Sequence, residues 1–149
     1  MRSPRNFNPT AAPVYSGLNP ISGPTDFTYS YDTPGVGIPA SGVLSDGVQT
    51  DTSAPFHWLG LVINSYTSAL FSVRFGINGT YYISQNQILA SNYLSDPSAP
   101  FTTVGQLIVP AGGRITVDFT DFSGSNNVVE ILFRGVKLFA GGSYAQMAA

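Results

Sequence analysis

The stretch A-L-F-S-V-R-F-G-I-N-G-T, residues 69–80, decides the fold class. Phe71, Val73 and Phe75 fall on one side of an extended chain, and Ser72 and Arg74 fall on the other. Alternation with period two marks a half-buried strand. Asn78-Gly79 follows at once, and Asn-Gly between apolar runs is a strong hairpin signal because both residues tolerate positive φ. T-Y-Y-I-S (80–84) is then expected to return as the partner strand. Asn78-Gly79-Thr80 also fits the N-glycosylation pattern, but the hairpin turn accounts for it better.

Working outward, the same alternation recurs in G-R-I-T-V-D-F-T-D (113–121). Ile115, Val117 and Phe119 form its inner side, and Arg114, Thr116, Asp118 and Thr120 its outer side. F-H-W-L-G-L-V-I-N (56–64) is nearly continuous in apolar residues and too short for a typical helix, so it reads as a central strand buried on both faces. P-F-T-T-V-G-Q-L-I-V-P (100–110) and N-V-V-E-I-L-F-R-G-V-K-L-F (127–139) read as further strands, with Gly135 marking a bulge or bend. Asp46-Gly47 predicts a hairpin turn inside V-L-S-D-G-V-Q-T (43–50). A-G-G (111–113) and F-S-G-S-N-N (122–127) supply turns, and 85–99 has room for one short helical turn before Pro97 and Pro100. Six to eight strands at spacings of about ten residues predict an all-β domain, an antiparallel β-sandwich that is jelly-roll-like.

The N-terminus is different. Residues 1–40 hold seven of the eleven prolines, and each proline fixes φ and removes a backbone donor. The segment nevertheless carries Phe7, Tyr15, Phe27, Tyr29 and Tyr31. Disordered tails are generally poor in aromatics. A tail without fixed structure is one reading. The other, which the aromatics favour, is an extended arm that buries these five rings against other chains. T-D-F-T-Y-S-Y-D (25–32) alternates and could add to a sheet as an edge strand. The expected organisation is an arm over 1–40, a β-sandwich over 41–140 and a tail over 141–149.

Composition narrows the function. The 149 residues suit one ordinary domain. Only 9% are charged, against about 25% in typical domains. Such a surface has little electrostatic reason to stay apart from other protein. The net charge of −2 comes with no basic stripe, so nucleic acid is not an expected partner. With no cysteine, disulfides, thiolate metal sites and a Cys nucleophile are excluded. No run approaches 18 apolar residues and M-R-S-P-R-N-F-N-P-T has no apolar core, so neither a membrane span nor a secretory signal is expected.

Catalytic residue types are scarce. The single histidine, His57, lies between Phe56 and Trp58 and reads as a half-exposed or core-edge imidazole with a satisfied hydrogen bond. No Gly-x-Ser-x-Gly elbow accompanies it. Asp118, Asp121 and Glu130 are the carboxylates that a small hydrolase would need in one cleft. Asp121 opens a polar turn, where Asp is favoured for its local backbone hydrogen bonds. The loop from Asp121 to Asn127 lacks the acidic density of a Ca²⁺ site. No catalytic residue, cofactor or metal ligand is expected. Tyr66, Tyr81, Tyr82 and Tyr93 could form a sugar-stacking platform if one sheet face exposed them together.

Four segments carry a resemblance: A-P-F-H-W-L-G-L (54–61), S-V-R-F-G-I-N-G (72–79), V-P-A-G-G-R-I-T-V (109–117) and E-I-L-F-R-G-V-K (130–137). Together the stretch from Pro55 to Phe139 resembles small virion structural proteins of tailed bacteriophages. The resemblance implies a jelly-roll or β-sandwich module, without enzymatic activity, that decorates or cements the capsid surface through its N-terminal arm. The partners it implies are the major capsid protein and copies of the chain itself, as a homotrimer. A glycan- or host-surface-binding module of a tail or head fibre is the alternative.

Overall fold

Alternation in sequence becomes a pair of facing sheets. The computed structural model describes residues 23–81, 83–94 and 101–139. The strands are β1 (Gly23–Asp32), β2 (Val43–Gln49), β3 (Phe56–Tyr66), β4 (Phe71–Ile77), β5 (Ile88–Leu89), β6 (Phe101–Val109), β7 (Arg114–Asp121) and β8 (Val129–Phe139). One sheet has the order β1-β8-β3-β6 and the other β2-β7-β4-β5. Every pairing is antiparallel. Early strands pair with late ones: β1 with β8, β2 with β7, β3 with β6 and β4 with β5. The chain is thus wound as a folded-over ribbon, the jelly-roll-like form of an eight-stranded sandwich.

The inner faces interlock through aromatic rings. Trp58 of β3, Phe75 of β4 and Phe133 of β8 meet edge to face, with centroids 6.2, 5.3 and 5.8 Å apart. Phe71, Val73, Ile115, Val117 and Phe119 fill the rest from one sheet, and Phe56, Leu61, Ile63, Val129 and Ile131 from the other. These positions are the inner sides that the alternation marks. β3 lies between β8 and β6, as a central strand should. It is not sealed on both faces throughout: Leu59 stays 40% exposed. Pairing with β8 passes from Trp58–Gly135 to Gly60–Arg134, so Leu59 is the extra residue of a bulge. The irregularity expected at Gly135 therefore lies opposite it, in β3. Gly135 is needed for close approach, since a Cβ there would sit 2.0 Å from the His57 carbonyl oxygen.

Three local expectations need correction. Asp46-Gly47 makes no turn; it lies inside β2, where Gly47 pairs with Thr116. A Cβ at Gly47 would lie 2.3 Å from the Ile115 carbonyl oxygen, so glycine is there for the neighbouring strand. The Asn78-Gly79 turn does form, with φ of 50° and 85°, closed by reciprocal Ile77–Thr80 backbone hydrogen bonds of 2.8 and 2.9 Å. The return strand at 80–84 does not. Tyr81 is drawn aside, its hydroxyl donating to Asp118 and its ring lying 3.7 Å beneath the Arg74 guanidinium. Pairing with Ser72 and Val73 is supplied later, by β5. The helical turn expected within 85–99 appears as one 3-10 turn, Ala90–Asn92.

The third correction is the arm boundary. Gly23–Asp32 pairs over its whole length with β8 and forms the sheet's edge, as its alternation allows. Proline is tolerated there because an edge strand has a side with no ladder to serve. Residues 1–22 and 140–149 lie outside the described residues.

At one end of the sandwich three loops are tied together. Asn127, fully buried, donates to the Ser68 carbonyl at 2.8 Å and accepts from the Ser68 N–H at 3.0 Å. Its backbone exchanges hydrogen bonds with Ile38. Asp121 accepts from the backbone N–H groups of Ser41 and Gly124 and from the Ser123 hydroxyl. Burial pushes its carboxyl up, but these hydrogen bonds outweigh it and hold the pKa at about 2. Asp121 thus has the backbone-bonding role expected of it. Replacing Gly135 by Ala should cost about 2–4 kcal/mol, because a backbone oxygen must move. Urea unfolding of Gly135→Ala checks this.

Candidate interaction surface

The strand β8 places Val129, Ile131, Phe133, Gly135 and Lys137 on its inner side. Lys137, the chain's sole lysine, is therefore aimed inward, and it is 5% exposed. A buried ammonium needs partners for its charge and its N–H donors. Its Nζ bonds the Asp51 carboxylate and lies 3.3 Å from Ser53 Oγ. It also sits 3.9 Å from the Phe27 ring centre, 5.6 Å from Tyr29 and 5.9 Å from Phe139. Cation–π attraction at such distances adds to the ion pair. Burial lowers the Lys137 pKa, but the hydrogen bond it donates to Asp51 leads the effects that raise it above its ordinary value. The Lys137 hydrogen bond, with help from Ser53, holds Asp51 down at about 2.

This clasp closes the end of the sandwich where the described chain begins and leaves. Gly23 and Phe139 are cross-strand partners, so both ends emerge side by side. The β2–β3 loop, carrying Asp51 and Ser53, is pinned against them. Beside it, on the outer face of the β1-β8-β3-β6 sheet, lies an open groove of about 360 Å³. Leu59 gives it an apolar wall, Asp26, Thr28, Thr102 and Arg134 give it polar ones, and Phe27 and Gly135 also line it. The bulge at Leu59 shapes one wall. An open channel of mixed polarity beside an edge strand suits an extended segment of polypeptide.

The arm aromatics divide. Phe27 stays at the rim, 37% exposed, with its ring 4.8 Å from Tyr29. Tyr29 and Tyr31, expected against other chains, lie buried in this chain's own core. Tyr29 packs edge to face on Phe56 and its hydroxyl accepts from the Asp51 N–H. Tyr31 stacks on Phe119 and donates to Asp46. Burial, and then that hydrogen bond, push the Tyr31 hydroxyl far above its ordinary pKa. Phe7 and Tyr15 lie outside the described residues. The clasp residues Lys137 and Asp51 did not emerge from the sequence reading. A signal was present, since the sole lysine falls on the inner register of an alternating strand.

The other candidates are dispersed. Asp118 pairs with Arg74 on the outer face of the second sheet, at 2.8 Å. Asp121 is buried among loop N–H groups, and Glu130 accepts from Asn64 on the first sheet. These three carboxylates share no cleft. The tyrosines form no common platform either: Tyr93 is buried, Tyr81 has one face under Arg74 and Tyr66 belongs to the other sheet. Tyr82 lies outside the described residues. His57 is half-buried on β3, on the register opposite Phe56 and Trp58, and its Nε2 is buried with no hydrogen-bond partner, contrary to expectation. Among the described residues no group of three or more His, Cys, Asp or Glu could hold a metal ion. Compared with protein families, curated proteins and solved structures, the chain has no significant match.

The clasp has a calculable pH dependence. A depressed carboxyl pKa stabilises above its unfolded value, about 4, and that contribution fades as pH falls towards 2. A raised lysine pKa contributes below about 10 and fades above it. Because Asp51 is half exposed, solvent screening limits its contribution to about 0.5–1 kcal/mol. Asp51→Asn should therefore lower stability at neutral pH by that amount, and the difference should shrink below about pH 4 and disappear as pH falls through about 2. Urea midpoints of both proteins across the acid range check the sign.

Proposed function

We propose that this chain is a non-enzymatic structural protein of a phage virion. In this reading it binds and stabilises the capsid lattice from the outer surface as a decoration or cement protein, and it acts as a homotrimer. The observation that carries the reading is the arrangement at the clasp. A self-sufficient sandwich delivers its N-terminal segment from a rigid, ion-paired exit, beside a groove suited to extended polypeptide. The jelly-roll-like winding supports it at the level of fold analogy, because viral capsid domains use that architecture. The filled interior supports it too. Sandwich and barrel folds that bind small molecules leave a cavity, whereas here Trp58, Phe75 and Phe133 occupy the space between the sheets. What remains for function is surface. Low charge keeps the desolvation cost of covering that surface small.

In this reading residues 1–22 reach across to neighbouring capsid subunits. Extended, they span at most about 75 Å. The relevant truncation removes residues 1–22 and no more, since a cut at residue 40 would strip β1, with Tyr29 and Tyr31, from the core. The truncated protein should keep its far-ultraviolet circular dichroism and cooperative unfolding, yet lose binding to capsids in a co-sedimentation assay. Undiminished capsid binding and capsid stability after truncation would overturn the reading. Silence towards capsids, combined with glycan-array binding by the full chain, would favour the glycan-binding alternative.

A further inference from the structure

The end of the sandwich opposite the clasp exposes apolar side chains among uncharged polar ones. By strand rise the two ends stand about 30 Å apart. Here the loops 33–42, 67–70 and 122–128 come together around Asn127 and Asp121. None of these loops contains Asp, Glu, Lys or Arg. Yet Val36, Val43, Tyr66, Leu70, Phe122 and Val128, in or beside them, are 43–68% exposed. Six of the ten large apolar side chains exposed among the described residues therefore crowd one tip. With side chains of this class presenting on the order of 150–200 Å² each, the exposed part is on the order of 600 Å². That is the upper end of what a monomer leaves open and close to one side of a standard interface, about 800 Å².

We propose that this tip is a self-association surface, on which copies of the chain converge around a rotation axis. The charge pattern selects this occupant. Near a symmetry axis each side chain meets its own copy, so a charge there would face its like. A partner of different sequence is normally steered and selected by complementary charges, and these loops offer none, the flanking acids being Asp32, Glu130 and buried Asp121. The surface is also preorganised. Hydrogen bonds from Ile38 to Asn127, from Ser41 to Asp121, from Thr67 to Val128 and from Phe122 to Leu70 hold the loops before any partner arrives. Little loop entropy is then lost on association. Tip-to-tip contact leaves the opposite end, with its clasp and groove, open to other partners.

The inference deepens the reading above, since it locates the self-contact of the homotrimer and rests on that reading for the copy number alone. Light scattering coupled to gel filtration of the full chain, at micromolar concentrations, tests it. The protein should elute with the mass of a closed oligomer. Leu70→Asp combined with Phe122→Asp should elute as a monomer with unchanged circular dichroism. Ile108→Asp, on an outer face away from the tip, should keep the oligomer and controls for added charge. A wild-type monomer would overturn the inference. So would an oligomer that survives the paired change, and that result would leave the capsid reading standing. Sedimentation of a monomeric wild type with phosphatidylcholine vesicles would assign the tip to lipid and equally overturn it. Failure of the oligomeric wild type to bind capsids would sink the capsid reading and leave this inference intact.

Discussion

Edge-to-face packing of Trp58, Phe75 and Phe133 is the interaction on which the rest of the molecule depends. These rings come from both sheets, and each is fully or almost fully buried. The indole N–H, which could not be left unpaired at that depth, is satisfied within β3 by the Gly60 carbonyl at 2.9 Å. That local bond coincides with the Leu59 bulge, so the strand's irregularity and the burial of its largest ring are linked. With the centre occupied by these rings, the described surfaces open to a partner are the rims, edges and outer faces.

The two ends of the sandwich meet that confinement differently. At one end a buried ammonium is held by Asp51 and a set of aromatic rings, and the chain enters and leaves beside it. At the other end the loops 33–42, 67–70 and 122–128 contain no charged residue, and apolar side chains project from them above buried Asn127 and Asp121. Polar groups are used at both ends, but inside, as braces. At the clasp the ion pair ties the β2–β3 loop to β8. At the tip the buried amide and carboxylate free the outer surface from having to satisfy its own backbone. A long β1 joins the two ends mechanically.

Much of the fold was legible in the sequence because period two survives wherever one face is dry and the other wet. The strands around Phe71–Phe75 and Ile115–Phe119 are of that kind, and their inner residues are those expected. The misreadings have a common cause in contacts distant in sequence. Asp46-Gly47 has the chemistry of a turn, but Gly47 answers to the backbone of β7. T-Y-Y-I-S has the composition of a strand, but Tyr81 bonds Asp118, thirty-seven residues away. Gly23–Asp32 shares the proline-rich setting of the residues around it, yet Tyr29 and Tyr31 have partners at Asp51 and Asp46 across the sandwich. The clasp was missed because Lys137 stands alone in sequence, and only pairing with β1 brings Phe27 and Tyr29 to it.

The central claim is that β1 is an integral part of the core. Backbone hydrogen–deuterium exchange on the full chain tests it most directly, since protection reports the free energy of opening each element. The account predicts that the ladder amides of β1 are protected to the same order as those of β3 and β8, and that the Ile38, Asp121 and Asn127 amides are protected with them. Rapid exchange throughout β1, with β3 and β8 still protected, would contradict it.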